Sequence, residues 1–264
     1  MIHSNALTTA NAALIIAHPG HEIRVHGWLE LACPMVFILT DGSGSSQEPR
    51  LNSTTKILNK INAKPSNIYG RFSDREIYQA ILNHDFNLFI KLTEELVDIL
   101  SQAQVELVVG DAVEGYNPVH DVCRIIINAA VEILEKRGQK IANFDFWLNR
   151  KPDDFAPQLS EQVVCLKLDD AGLARKLATA QGYDEMAEEV NAAIQVFGLE
   201  VFRNECFRQI QIRGKNDAQM ADTPFYEQYG EKKVVAGLYQ QVLRYDEHVY
   251  PLAQALWNYI EGLI

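Results

Sequence analysis

No CxxC or CxxH pair occurs in the chain: Cys33, Cys123, Cys165 and Cys206 stand far apart. That spacing excludes a zinc ribbon and a dithiol redox motif, and leaves reduced, mostly buried thiols as the expectation. Basic residues are also scarce, with 24 Lys and Arg against 35 Asp and Glu for a formal net charge of −11. A nucleic-acid footprint shows as a basic excess or stripe, so no nucleic-acid partner is expected. A small neutral or cationic substrate fits better than a polyanion. No apolar run approaches the roughly 20 residues of a membrane span, and the N-terminus lacks a basic start followed by a long apolar core. The expectation is a cytoplasmic protein without a membrane span. Internal repeats and low-complexity tracts are absent, and the oligomeric state leaves no mark.

What is there is ordinary globular material, 264 residues at 47% hydrophobic and 22% charged, enough to bury a sizeable core. The order of segments predicts one domain over 1–264, with a sheet-bearing core over 1–168 and a mainly helical extension over 169–264. A polar stretch over 214–224 is the best internal boundary.

The chain is organised around Ala17-His18-Pro19-Gly20-His21-Glu22, where two imidazoles flank a Pro-Gly turn. Before it, residues 13–17 (ALIIA) are short, aliphatic and strand-like; after it, Ile23, Val25, Trp28, Leu29 and Leu31 follow a pattern closer to helical. The histidines therefore sit at a strand's carboxyl end and a helix's first turn, the edge where ligands gather in open α/β sheets. A lone histidine there is more often a hydrogen-bonded rim residue. Two around one turn read as half of a metal site, and tetrahedral Zn²⁺ then needs a third protein ligand.

Further strands and helices alternate. Residues 34–40 (PMVFILT) form a continuous apolar run, suited to a strand covered on both faces, and end in a glycine- and serine-rich loop over 41–46 that places Asp41 first beyond the strand. Leu51 to Ile61 reads as a helix with Arg50 at its start, where the macrodipole disfavours a cation, a hint of another role. A short strand follows at 67–70, then a helix start at Ser73 or Asp74 and an amphipathic helix over 86–100. After the strand 105–109 (VELVV) comes a long loop carrying Asp111, Glu114 and Asn117. His120 then opens a helix reaching Lys136, repeating the geometry of the first motif. Strands at 141–148 and 163–168 and helices at 170–180, 184–196, 231–245 and 251–264 complete the reading. The alternation predicts a Rossmann-like, doubly wound, mostly parallel sheet with helices on both faces and additional C-terminal helices. In that order the first and fourth strands are neighbours, and His18, His21 and His120 meet in one crevice.

These residues resemble the LmbE-like, or N-acetylglucosaminyl-phosphatidylinositol de-N-acetylase-like, superfamily. AHPGHE at 17–22 is similar to the family's Ala-His-Pro-Asp-Asp-Glu, with Gly27 in the place of a following glycine. Thr40-Asp41-Gly42 matches the end of its second strand, and Asn117-Pro118-Val119-His120 is similar to its His-Pro-x-His motif. Arg50 and Asp74 fall where the family has an arginine and an aspartate. The resemblance covers roughly residues 12–137 and implies Zn²⁺ at His18, His21 and His120, hydrolysis of an acetamido group on an amino sugar or its conjugate, and substrate contacts from Arg50 and Asn117. Three departures matter. His21 stands for a ligand aspartate, Gly20 for the carboxylate base, and Asn117 for a histidine.

The leading expectation is a Zn²⁺-dependent hydrolase of a linear amide, since three imidazoles and an open position can bring a bound water's pKa to about 7. With Gly20 unable to accept a proton, Asp41 is the first candidate base and Glu114 the second, both bordering the crevice. Glu22, one residue past a ligand, is expected to pair or cap structurally. The alternative is a metal-retaining pseudoenzyme or small-molecule binding protein. A third idea is other chemistry at a three-histidine centre, such as a non-haem iron reaction.

Overall fold

The computed structural model describes residues 4–44, 48–156, 161–211, 220 and 222–263. In chain order they form α1 (Ser4–Thr9), β1 (Ala12–Ile16), a 3-10 turn (His21–Val25) leading into α2 (His26–Ala32), β2 (Met35–Thr40), α3 (Leu51–Ile61), β3 (Lys64–Phe72), α4 (Asp74–Leu82), α5 (Phe86–Gln102), β4 (Leu107–Asp111), α6 (Pro118–Lys136) and β5 (Ala142–Phe146). Then come β6 (Val163–Lys167), α7 (Asp170–Gln181), a 3-10 turn (Asp184–Met186), α8 (Ala187–Phe197), a third 3-10 turn (Leu199–Arg203), β7 (Asn204–Gln209), α9 (Phe225–Val235), a π turn (Tyr245–Val249) and α10 (Tyr250–Gly262). The seven strands stand in the order β3-β2-β1-β4-β5-β7-β6. The first five are parallel, whereas β7 is antiparallel to both neighbours. This is the predicted α/β, mostly parallel architecture, with β1 and β4 side by side.

Period-two alternation along each strand splits the core into two layers. Ala13, Ile15 and Ala17 pack with Phe37 and Leu39 beneath α4, α5, α6 and α10, while Leu14 and Ile16 pack with Val36, Ile38, Trp28, Leu29 and Phe207 on the other side. Burial on both faces explains why β1 and β2 read as continuous apolar runs. Of the two residues read as the cap of α4, Ser73 takes the role, in a reciprocal box with Glu76.

The chain beyond 168 is less purely helical than expected, because β7 fills the gap between β5 and β6. Its sequence NECFRQ hides the strand: Glu205 is buried, and its carboxylate meets Lys176 Nζ at 2.8 Å. That carboxylate also accepts the Gly27 and Trp28 N–H groups, both at 2.8 Å, capping α2 from another part of the chain. Cys165 and Cys206 face each other across β6 and β7 and are joined by a disulfide, which corrects the expectation of four reduced thiols. Without β7 in the reading, the two cysteines had no shared element. Cys33 and Cys123 are free, the first exposed and the second buried.

The helix read over 231–245 begins earlier, at Phe225, and ends at Val235. Gly237, at φ 70°, turns the chain out of it and donates its N–H to Val234 O at 2.9 Å. The boundary read over 214–224 lies outside the described residues except for 220 and 222–224, and the loop read over 41–46 is described to 44. Among the described residues no helix is long and apolar enough to cross a membrane.

Candidate functional site

Parallel pairing of β1 with β4 brings both carboxyl ends to one edge of the sheet, the edge where ligands gather in open α/β folds. His18 stands just past β1. Gly20, at φ 103°, reverses the chain so that His21 can open the 3-10 turn. From the other side, Asn117 caps α6 by accepting the Val119 N–H at 2.9 Å, and Pro118 stands in the first turn. His120 therefore projects from that turn. The ring centroids of His18 and His21 are 5.3 Å apart, those of His18 and His120 4.9 Å, and those of His21 and His120 4.5 Å. The structure thus brings together the three histidines that the sequence reading placed in one crevice.

Each of the first two rings is held by a carboxylate. His18 Nδ1 lies 2.9 Å from Asp74 Oδ1 and 2.7 Å from Thr40 Oγ1, and the Thr40 hydroxyl donates to the same Asp74 oxygen at 2.6 Å. His21 Nδ1 lies 2.9 Å from Asp111 Oδ2, which also accepts the Ala17 N–H at 2.8 Å. With Nδ1–H donating to a carboxylate, the ring's Nε2 becomes its acceptor, the tautomer that metal-binding histidines adopt. His18 Nε2, His120 Nδ1 and Asp111 Oδ1 are buried without a hydrogen-bond partner among the described residues.

The electrostatics keep two of the rings neutral. Burial lowers the His21 pKa despite Asp111, and burial together with the neighbouring rings and Arg50 lowers that of His120 well below its ordinary value. The His21–Asp111 contact is therefore a neutral ring donating to a carboxylate. Asp74 is pushed up by burial, but hydrogen bonds from His18 and Thr40 and the Gly44 N–H outweigh this and hold its pKa below the usual carboxylate range. Among the described residues no group of three or more His, Cys, Asp or Glu side chains stands close enough to enclose an ion as arranged here. The chemistry of the donors still fits one: neutral imidazoles, partnerless ring nitrogens and carboxylates behind two of the rings.

The other predicted site residues have mixed fates. Arg50 sits at the N-cap position of α3 without capping it; its Nε donates to Gly42 O at 2.7 Å, and its charge reaches His21 and His120. Asp41 Oδ1 accepts the Ser43 N–H at 2.9 Å within its own turn. Glu114 accepts the Leu148 N–H at 2.9 Å and the Asn149 N–H at 3.2 Å, which binds it to the loop after β5. Glu22 is structural as expected, taking the Gly20 N–H and the Thr54 hydroxyl, both at 2.7 Å, with its pKa pushed up to about 7 by burial. The sequence reading missed Thr40 and Asp111 as partners of the histidines. It ended the fourth strand at Val109 and so put Asp111 in the loop, although the carboxylate closing a buried strand was the available signal.

No family model matches the sequence, and no curated protein does. Among solved structures, the chain is similar to a deacetylase in complex with bog from the teicoplanin biosynthesis pathway, at 12% identity and TM-score 0.51, over 75% of this chain and 97% of that one. Also similar are the A40926 pseudoaglycone deacetylase Dbv21, at 15% identity and TM-score 0.48 over 76% and 97% of the two chains, and the conserved protein TT1542 from Thermus thermophilus, at 16% and 0.49 over 77% and 95%. At these identities the likeness concerns the fold alone.

Proposed function

We propose that this chain is a metal-dependent amide hydrolase that removes the acetyl group from an N-acetylated amino sugar or sugar conjugate, with His18, His21 and His120 holding a divalent transition metal such as Zn²⁺. The observation that carries the reading is the pair of histidine–carboxylate contacts, His18–Asp74 and His21–Asp111, set at 2.9 Å each beside a third buried histidine. Carboxylates behind imidazoles fix the ring that faces a metal and raise its basicity. A bound Zn²⁺ supplies Lewis-acid chemistry at the amide carbonyl.

The chain's own residues do the rest. Arg50, anchored through Nε on Gly42, has a charge that reaches His21 and His120, and it holds a substrate oxygen. Asn117 spends its oxygen on the α6 cap and has its amide N–H groups for a substrate carbonyl. Of the two candidate bases, Asp41 keeps the role, because it adjoins the Gly42 carbonyl that anchors Arg50; Glu114 is given to the loop after β5. The one-domain reading of 1–264 goes with this proposal, since β7 completes the sheet and caps the helix that follows His21.

One observation favours the binding-protein alternative. At Gly20 a Cβ would lie 2.0 Å from Met186 Sδ, so a thioether occupies the space where a carboxylate base would start. Acetate release from a panel of N-acetylglucosamine conjugates decides between them. The hydrolase reading expects turnover that chelation, His120→Ala or Asp41→Asn abolishes, with metal content kept in Asp41→Asn. Metal retention without turnover on any conjugate supports the alternative, and wild-type protein that takes up no metal overturns both.

A further inference from the structure

Tyr183 stands between α7 and the 3-10 turn Asp184–Met186 and is 0% exposed. Its ring packs with Ile23, Ile57 and Ala180, contacts that a phenylalanine would make as well. The hydroxyl is what distinguishes it. It lies 3.1 Å from Arg50 O and 2.8 Å from Thr54 Oγ1, so its one proton stands between two acceptors. The Thr54 hydroxyl donates to Glu22 Oε1 at 2.7 Å, and Glu22 Oε2 takes the Gly20 N–H at 2.7 Å. From the phenol, one line of contacts runs to the turn between His18 and His21 and another to Arg50.

The two lines meet again at Gly42. Arg50 Nε donates to Gly42 O at 2.7 Å, and the Arg50 N–H donates to Asp41 O at 2.8 Å. A Cβ built on Gly42 would lie 2.8 Å from Pro19 Cδ, 2.9 Å from Arg50 Nε and 3.3 Å from Arg50 Nη2. The guanidinium and the Pro19 ring therefore lean on the same backbone atom, and the contacts close a circuit that starts and ends at the Pro19-Gly20 turn. Of its members only Tyr183 comes from the chain beyond residue 168.

We infer that Tyr183 is a positioning residue for the proposed reaction: its hydroxyl holds the Arg50 backbone against the turn that carries His18 and His21, and so sets where the guanidinium stands relative to the histidines. The inference rests on the amide-hydrolase reading for what Arg50 does to a substrate. A guanidinium on a long, rotamer-rich stem is placed only as well as its backbone and its own hydrogen bonds are. The loop after β2 holds the Arg50 N–H and Nε, and the phenol holds the Arg50 carbonyl. A buried hydroxyl adds nothing to an apolar cluster and is costly without a partner, so it acts through its two acceptors.

The Arg50 Nε–H signal in nitrogen–proton NMR spectra reads the guanidinium directly, without substrate or turnover, and its absence in Arg50→Lys assigns it. In Tyr183→Phe, which keeps the ring, exchange of this proton with solvent is expected to quicken about 2- to 12-fold, the range of one lost hydrogen bond. The rate is expected to stay at the wild-type value in Ile57→Val, which loosens the same apolar cluster. It is also expected to stay there in Glu185→Ala, which cuts the 2.6 Å bond from Ser53 Oγ that ties the same turn to α3. Calorimetric titration of the Zn²⁺-loaded proteins with N-acetylglucosamine adds the functional arm. Tyr183→Phe weakens binding by a similar factor in the wild-type background and has no further effect in an Arg50→Ala background. An unchanged Nε–H rate in Tyr183→Phe, an equal change in either control, or additive losses with Arg50→Ala overturns the inference. A rate that quickens in Tyr183→Phe alone, with N-acetylglucosamine bound by no variant and not by the wild type, supports the positioning and counts against the amino-sugar reading.

Discussion

Asp111 Oδ2 lies 2.9 Å from His21 Nδ1 and 2.8 Å from the Ala17 backbone nitrogen, so one buried carboxylate on β4 fixes both the chain entering His18 and the ring of His21. Arg124 supports it from below. Its Nη1 donates to Asn143 Oδ1 at 2.9 Å, and its Nε donates to the Asp111 carbonyl. The neighbouring strand ends and α6 are thus cross-tied where the histidines meet.

The first prediction concerns metal affinity. Removing a carboxylate behind a ligating histidine typically costs 10- to 100-fold in affinity. Asp111→Ala is expected to weaken Zn²⁺ binding by about that factor, and Asp111→Asn by less because its oxygen still accepts the Ala17 N–H. Competition with a chromophoric chelator measures both, with circular dichroism confirming the fold. Unchanged affinity in Asp111→Ala would remove His21 from the proposed ligand set.

A second prediction concerns the buried pair Lys176–Glu205, whose side chains are 2% and 0% exposed. Deleting one partner strands a buried charge and costs about 3–5 kcal/mol. Glu205→Ala also uncaps α2 at Gly27 and Trp28, so it is expected to fall at the upper end. Urea unfolding reads both variants. A loss below about 1 kcal/mol, within the range of a surface pair, would contradict the burial of this one.

Alkaline pH supplies a third. Burial, with Asp121 and Glu227 nearby, raises the Tyr226 pKa far above 10.0, and burial with Glu22 nearby does the same for Tyr183. Above pH 10 the unfolded chain releases phenol protons that the folded chain keeps. Folding then binds the extra protons, so stability falls as pH rises, by about 1.4 kcal/mol per pH unit for each such phenol. Tyr226→Phe should reduce that slope by one phenol's share in urea unfolding between pH 10 and 11. An identical slope in the variant would show that Tyr226 titrates normally when folded.

The sheet's parallel half was legible because its signals are local: apolar runs, histidines just past strand ends, and caps such as Ser73 with Glu76. The three-histidine cluster followed from the order of those elements. What stayed hidden depends on partners distant in sequence. Glu205 and Arg208 give β7 a polar appearance, yet Glu205 is buried against Lys176 and Arg208 pairs with Asp145. The Cys165–Cys206 bond could not be foreseen without that strand. From sequence Asp41 ranked ahead of Glu114 as the candidate base, but local hydrogen bonds decide where each carboxylate goes: Asp41 turns back on the Ser43 N–H, and Glu114 is held by the Leu148 N–H of the loop after β5.

The last prediction uses the fit between Gly20 and Met186. Gly20 adopts φ 103°, a conformation that costs a residue with a Cβ about 1–3 kcal/mol, and the added atom would also lie 2.0 Å from Met186 Sδ. Gly20→Asp should therefore destabilise the protein by at least that strain. Met186→Ala should recover the steric part but not the backbone part, giving a measurable coupling in a double-mutant cycle. Activity separates the two functional readings. If Asp41 serves as the base, Gly20→Asp/Met186→Ala gains no turnover over the wild type, and Asp41→Asn has none. If the chain has kept the metal and lost the reaction, only the double variant releases acetate, because it alone has both a carboxylate at position 20 and room for it. Equal stability of Gly20→Asp and the wild type would show that Met186 does not fill that space, and would remove the one structural observation that favours lost catalysis.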